Sequence, residues 1–338
     1  MPKSAPILQI PASGDKIGDM AKKKPRRIVP QPEDEKILRA LYTGSLFNAR
    51  QIAALAGIVY DEPLQRRLQR LYEADFVARP HRQQPYQIGP QGRYQGKRPL
   101  VYSLTQRGER HLVEKFDLEP TGRRWDRNAR EVGPMHIEHE LMVAQFHAVL
   151  QNASHPAGIS LRHWDEGRHL QTAFHTDEYG QLTSSQQGTE RHVTAPDAFV
   201  YVEKTRRGRE VPRYCFLEAD RSSMKLRTMF QKYRAYYLYD RFGLAAQDIH
   251  PAIKRFRVIT VTKTRARAQN LCRLASYVDR AYTDIPREKS RIRPTDHEIA
   301  RPPFLFVCQD AYSLEQPEKI RGNIACESPR PERMTTLW

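Results

Sequence analysis

The sequence predicts an α/β protein of two domains, a small helical domain with a β wing followed by a larger mixed-sheet domain. Three observations carry that expectation. Residues 33–120 hold three short amphipathic helices, two strands around a long polar tip and a closing helix. From residue 134 onward, the order becomes helix, several strands, helix, strand, helix, strand. With 338 residues, of which 39% are apolar, the chain is long enough for two cores and too apolar for a disordered polymer.

Residues 1–30 lack an apolar period and contain the run Lys22, Lys23, Lys24, Pro25, Arg26, Arg27, so they read as a flexible basic arm. In 34–42, Ile37, Leu38 and Leu41 share one helical face. Asn48 is placed to cap a helix over 49–56, whose Ile52 and Leu55 point inward, and Gly57 is placed to end it. A third helix starts near Glu62 with Pro63 in its first turn and buries Leu64, Leu68 and Leu71. Its other face presents Gln65, Arg66, Arg67, Gln69 and Arg70. Segments 76–79 and 100–104 read as a hairpin whose tip, 82–98, is rich in Gln, Gly, Tyr and Arg. Thr105 then caps the closing helix, and the domain spans 31–120.

Residues 121–133 are a charged linker, 134–315 the second domain, and 316–338, without a clear period, a tail. The helix opening at Gly133-Pro134 has a core stripe of Ile137, Leu141, Ala144 and Ala148, with His136, Glu140 and His147 beside it. Strands follow at 159–164, 170–174, 198–202 and 214–217, with a polar loop at 177–190. A long helix over 225–242, a strand at 256–261, a helix capped by Thr262 or Thr264 and a strand at 304–307 complete the domain.

Fifty-six Lys and Arg against 39 Asp and Glu give a net charge of +17, which favours a polyanionic partner, because a basic surface gains free energy by releasing counterions from phosphates. Double-stranded DNA is the expected partner and a membrane is not; no run of about 20 apolar residues exists, and a cytoplasmic location follows. Cys215, Cys272, Cys308 and Cys326 are too widely spaced for a zinc knuckle or a disulfide framework, and Cys215 and Cys308 sit in apolar runs as small core residues. No GxxxxGK[ST] phosphate loop, serine-hydrolase elbow or zincin pair is present: His139-Glu140 has no second His four residues on.

The chemistry concentrates in residues 196–240. Asp197 opens one apolar run, and Glu218 and Asp220 close the next, where their i, i+2 spacing turns them to one face of a strand. If the two runs form a hairpin, Asp197 meets them at the strand end. Three carboxylates would hold Mg²⁺ or Mn²⁺, hard cations that keep waters for a phosphodiester. Lys225 and Lys232 follow on the next helix as candidates to stabilise charge at phosphorus. The rival reading is plain strand-end polarity, with Glu218 or Asp220 in a surface ion pair with Arg213 or Arg221. Tyr233, Tyr236, Tyr237 and Tyr239 suit a packed core better than base stacking.

The N-terminal order resembles the winged helix-turn-helix superfamily, which implies a third helix in the DNA major groove. On that resemblance Arg66, Arg67 and Arg70 contact phosphates or guanines, and Arg93 and Lys97 in the wing reach an adjacent groove or the backbone. Over 136–307 the chain resembles the PD-(D/E)xK, restriction-endonuclease-like superfamily: Pro196-Asp197 stands for PD and Glu218-Ala219-Asp220 for (D/E)xK. Asp220 replaces the lysine, and members with a displaced lysine take it from the following helix, here Lys225 or Lys232.

The whole layout resembles the replication-relaxation family of plasmid and mobile-element proteins. The resemblance rests on Tyr102-Ser103-Leu104-Thr105, the helix near His136, Pro196-Asp197, Phe216-Leu217-Glu218-Ala219-Asp220-Arg221 and Lys232-Tyr233. It implies DNA work in bacteria, associated with a plasmid or the nucleoid, alongside other replication, transposition or nuclease proteins. Oligomeric state stays open. Two functions stay open as well: a Mg²⁺-dependent endonuclease with Asp197, Glu218 and Asp220 as metal ligands, or a non-enzymatic replication or transcription regulator or adaptor whose nuclease fold is inactive.

Overall fold

The structure, a computed structural model, describes residues 28–80, 86–88, 94–97, 99–121, 132–154, 158–184, 189–279, 304–328 and 330–338, with the backbone alone for 86–88, 94–97 and 330–333. The basic arm up to residue 27 and most of the 121–133 linker lie outside the described residues.

The N-terminal domain follows its local signals closely. Helix α1 (Pro32–Tyr42) runs into strand β1 (Phe47–Asn48), and Asn48 caps α2 (Ala49–Ala56) by accepting from the Gln51 N–H at 3.0 Å. Gly57, at φ 63°, ends α2 in the left-handed conformation that glycine enters without steric cost. Helix α3 (Glu62–Glu73) buries Leu64, Leu68 and Leu71. Strand β2 (Val77–Ala78) pairs antiparallel with β5 (Val101–Leu104), which also pairs with β1. Between β2 and β5 a separate ladder, β3 (Tyr86–Ile88) with β4 (Tyr94–Lys97), forms the tip of the wing. Thr105 caps α4 (Gln106–Phe116), its hydroxyl accepting from the Gly108 N–H at 3.0 Å. The result is the winged helix-turn-helix expected from the sequence.

The second domain is an α/β domain built on a large mixed sheet, also as expected. Helix α5 (Pro134–Ala153) leads into β6 (Ile159–Asp165). Strands β7 (Thr172–Thr176), β8 (Leu182–Thr183) and β9 (Glu190–Thr194) make a small sheet of their own, so part of the expected 177–190 loop is strand. Strands β10 (Ala198–Arg206) and β11 (Arg209–Asp220) form a long hairpin, β10 running past the end of its apolar run and β11 past both ends of its own. Helices α6 (Leu226–Arg241) and α7 (Leu244–Asp248), strand β12 (Arg257–Thr262), helix α8 (Arg265–Ala275) and strand β13 (Phe304–Cys308) follow.

The expected tail is a correction. Residues 316–338 contain β14 (Asn323–Glu327) and β15 (Arg330–Thr336), and the large sheet runs β15-β14-β13-β12-β11-β10-β6. Leu337 and Trp338 are buried against α5 and β10. Neither strand carries a long apolar run to announce it; β14 satisfies the open edge of β13, and β15 that of β14.

Alternation along β11 divides the core. Phe216 faces α6 and α8, where it meets Phe256 edge to face at 4.8 Å, while Cys215, Leu217 and Ala219 face α5. Tyr233, Tyr236 and Tyr239 are buried in the first of these layers, as their core reading required. Cys215 is buried and Cys308 partly exposed, both as free thiols.

Helix α5 serves both domains. Met142, Phe146, Val149 and Leu150 pack on the sheet, whereas Ala144 belongs to the winged-helix core and Ile137 packs with Leu46 and Val101. The expected core stripe thus mostly faces the winged helix. Gln51 of α2, fully buried, donates to the Leu141 carbonyl at 3.0 Å and to Gln145 Oε1 at 3.2 Å. At Gly44 an added Cβ would stand 2.6 Å from Phe47 Cζ and 2.9 Å from Glu166 Oε1 of the second domain, so any other residue requires these side chains to shift.

Candidate functional site

The β10–β11 register positions the acids. Ala198 pairs with Leu217, and the Asp197 N–H donates to the Leu217 carbonyl at 2.9 Å, which sets Asp197 across from Glu218. Asp197 Oδ2 accepts from the Ala219 N–H at 2.7 Å, and Oδ1 lies 3.0 Å from His139 Nε2 on α5. Glu218 is buried beneath α6: Tyr236 donates to Oε1 at 2.5 Å, and Lys232 makes an ion pair with Oε2. Lys232 lies two helical turns into α6, which brings its ammonium back over the end of β11.

Asp220 shares the face of Glu218 but has a different partner. Arg267 of α8 grips it through Nε at 2.7 Å and Nη2 at 3.4 Å, and the Ser222 N–H adds a bond at 3.1 Å. Arg267 also donates to the Met224 carbonyl at 2.8 Å, so the pair ties the β11–α6 turn to α8. Neither surface partner of the rival reading is used: Arg221 bonds the Met135 carbonyl and pairs with Glu138, and Arg213 donates to the Pro212 carbonyl.

Electrostatics separate the groups. Burial pushes the Glu218 carboxyl up to about 7, with the Asp197 charge adding and Lys232 opposing. Burial would raise Asp197 too, but the His139 hydrogen bond, the Lys232 charge and the Ala219 N–H hold it below its ordinary value. Burial disfavours the charged form of Lys232, yet the Glu218 and Asp197 carboxylates outweigh it and raise its pKa. His139 follows the same pattern: burial lowers it, the Asp197 bond and charge raise it further. Glu140, one residue on, is raised chiefly by burial, with His136 and His139 opposing.

For a divalent cation the donor chemistry is therefore two carboxylates and not three. Among the described residues no group of three His, Cys, Asp or Glu side chains is arranged to hold a metal ion, and Arg267 already neutralises Asp220. The charge of Asp220, the third expected ligand, is taken by an arginine from a helix distant in sequence. Asp197 and Glu218, opposed across the hairpin, do suit Mg²⁺, which is commonly held by one or two carboxylates together with substrate phosphate and water.

Of the two candidate lysines, Lys232 is in the cluster. Lys225 is exposed at the N-cap of α6, and among the described residues no ion pair joins it to an acid. Sequence reasoning passed over His139, although its spacing of one turn from His136 on an inward-facing helix was a usable signal. It also passed over Tyr236 and Arg267 as partners of the acids. His147, buried, stacks on Trp164 at 4.1 Å and away from the acids' hydrogen bonds.

On α3, Arg66 is well exposed and pairs with Glu62 at 2.6 Å. Arg67 and Arg70 turn back to the fully buried Asp34 of α1, at 3.2 and 2.5 Å. Arg93 lies outside the described residues, and so does the side chain of Lys97.

No helix among the described residues is long and apolar enough to cross a membrane. No curated protein and no solved structure matches the chain. A family described as replication-relaxation matches residues 38–253, which takes in the winged helix, α5, the acid hairpin and α6. The chain belongs to the replication-relaxation family, with the replication-related role in mobile elements which that membership carries.

Proposed function

We propose that the protein binds duplex DNA through its winged helix and hydrolyses a phosphodiester of it at Asp197, Glu218 and Lys232. The observation that carries this reading is Lys232: the lysine absent from position 220 is supplied by α6 and pairs with Glu218. An acid pair with an adjacent cation is the chemistry that phosphoryl transfer needs, because charge develops on the phosphate oxygens.

Mg²⁺ or Mn²⁺ would be held by Asp197 and Glu218 and, when bound, supplies Lewis acidity towards the phosphate. Lys232 places a partly exposed positive charge where the phosphate oxygens gain negative charge. Glu218, ionising at about 7, can take up a proton near neutrality. His139 and the Ala219 N–H fix the Asp197 carboxylate in one orientation. Arg66, exposed on α3, and the net charge of +17 support attraction to the DNA backbone.

A second reading, a DNA-binding replication factor whose nuclease fold is a scaffold, is favoured by one specific observation. Every carboxylate oxygen of Asp197, Glu218 and Asp220 already has a protein donor. Incubating supercoiled plasmid with the protein and Mg²⁺ or Mn²⁺ separates the two. The expected outcome is nicking by the wild type and none by Asp197→Ala or Glu218→Ala, with DNA binding retained in both. A wild type that binds DNA and leaves the plasmid intact in either metal overturns the enzyme and leaves the scaffold.

A further inference from the structure

At the end of the β10–β11 hairpin opposite the acid cluster, positive charge is concentrated. Residues 204–213 contain Lys204, Arg206, Arg207, Arg209 and Arg213, with Glu210 the single acid. The strands turn at Arg207 and Gly208, whose φ values of 51° and 74° are the two positive angles of a tight hairpin turn. Asn, Asp or Gly is favoured at the first of these positions, so a long arginine there is held in a backbone conformation it disfavours.

The register adds a second cost. Arg206 and Arg209 lie directly across from each other, and like charges opposed on neighbouring strands destabilise the pair. The acids that could compensate are occupied: Arg162 of β6 binds Glu203 at 2.5 Å and Glu210 at 3.2 Å. Among the described residues no acid forms an ion pair with Arg206, Arg207, Arg209 or Arg213.

The charge continues below the tip. Lys204 donates to the Trp338 main-chain oxygen at 2.9 Å and Arg257 to that of Leu337 at 2.7 Å, contacts with main-chain oxygens and not with side-chain acids. Arg213 Nε is buried and has no hydrogen-bond partner. Burial, followed by the charges of Arg257, Arg213 and Arg206, lowers the pKa of Lys204, and Arg213 is lowered in the same way by burial and by Arg257.

We propose that this hairpin tip, Arg206, Arg207 and Arg209 backed by Arg213, is a second binding surface for the phosphate backbone of duplex DNA, separate from the winged helix. It rests on the DNA-binding reading above. A disfavoured turn residue and an opposed arginine pair stand on an exposed tip where small or acidic residues would fold better, and a row of phosphates supplies the missing counter-charge. From Ala198 to Arg206 the strand spans about 26 Å, so the tip and the acid cluster stand less than one turn of duplex apart.

The test is fluorescence anisotropy of the full chain with a short mixed-sequence duplex over a series of salt concentrations. The variants are the triple substitution Arg206→Ala, Arg207→Gly, Arg209→Ala, the single Arg207→Gly, and Arg66→Ala in the winged helix. For the triple variant we expect affinity to fall roughly tenfold or more and the slope of log K against log salt to drop by about 2–3, near 0.9 for each lost phosphate contact. Arg207→Gly loses about one contact while its melting temperature holds or rises, because glycine suits the positive φ. A triple variant with wild-type affinity and slope, beside a weakened Arg66→Ala, overturns the hairpin surface and leaves the winged helix as the binder. A wild type with no affinity for duplex at low salt overturns both. Loss of binding to anionic lipid vesicles with duplex binding unchanged overturns it in favour of a membrane surface.

Discussion

Lys232 and Glu218 are fourteen residues apart, on a helix and on the strand before it, and they meet as an ion pair in which the acid is buried and the lysine half-buried, at the end of the β10–β11 hairpin. Tyr236, one turn further along α6, holds the other oxygen of the same carboxylate. A single helix thus supplies both groups that keep a buried acid in place.

Removing Lys232 should be costly for that reason. Lys232→Met leaves Glu218 buried without its counter-charge, so the carboxyl takes up a proton at neutral pH, and the expected loss of stability in urea denaturation is about 1–3 kcal/mol, that of a buried polar group losing a charged donor. The double variant Lys232→Met, Glu218→Gln should recover much of it. An unaltered single variant would show that the pair is not formed in solution.

Glu218 also sets a pH dependence. An ordinary glutamate ionises near 4.5, and burial pushes Glu218 up to about 7. The fold therefore favours its neutral form: this contribution to stability is complete below pH 4.5 and is lost as the pH rises through about 7. The difference in unfolding free energy, wild type minus Glu218→Gln, should fall by roughly 3 kcal/mol across that window. Parallel stability curves for the two proteins would contradict the shift.

His139 reports on Asp197. With the carboxylate beside it, the imidazole titrates above its ordinary 6.5; in Asp197→Asn, burial remains and the opposing charge is gone, so the value should drop below 6.5. NMR titration of the histidine side chains measures both. A His139 signal that does not move in Asp197→Asn would break the link.

On α3 the arginines should separate by role. Arg66→Ala is expected to weaken DNA binding with little change in melting temperature, because its pair with Glu62 is exposed. Arg70→Ala should in addition cost about 1–3 kcal/mol of stability, since buried Asp34 loses a charged donor. Equal melting temperatures would show that Asp34 has no need of Arg70.

Gln51 links the two domains. Gln51→Ala removes its bonds to Leu141 and Gln145 and its bond from the Asn48 N–H, which caps α2. Thermal unfolding should shift down by the equivalent of about 1–3 kcal/mol. It should also broaden towards two steps, as the winged helix loosens from α5. A sharp transition at the wild-type temperature would count against the coupling.

Where the signal is local, the sequence determined the outcome by itself. Asn48, Gly57 and Thr105 act within one helical turn, and they stop and start the helices where they were expected to. The i, i+2 spacing put Glu218 and Asp220 on one face, and an apolar run marked β10, β11, β12 and β13. Tertiary structure decided what those acids do. Asp220 is bound by Arg267, 47 residues away, and Glu218 by Lys232, while Asp197 is bound by His139, 58 residues before it. The fate of 316–338 was also decided there, because an open strand edge recruits partners through backbone hydrogen bonds, which every residue except proline can donate. A carboxylate's charge and basicity depend on which donor arrives and how much water leaves, and both are set by packing between segments far apart in the chain.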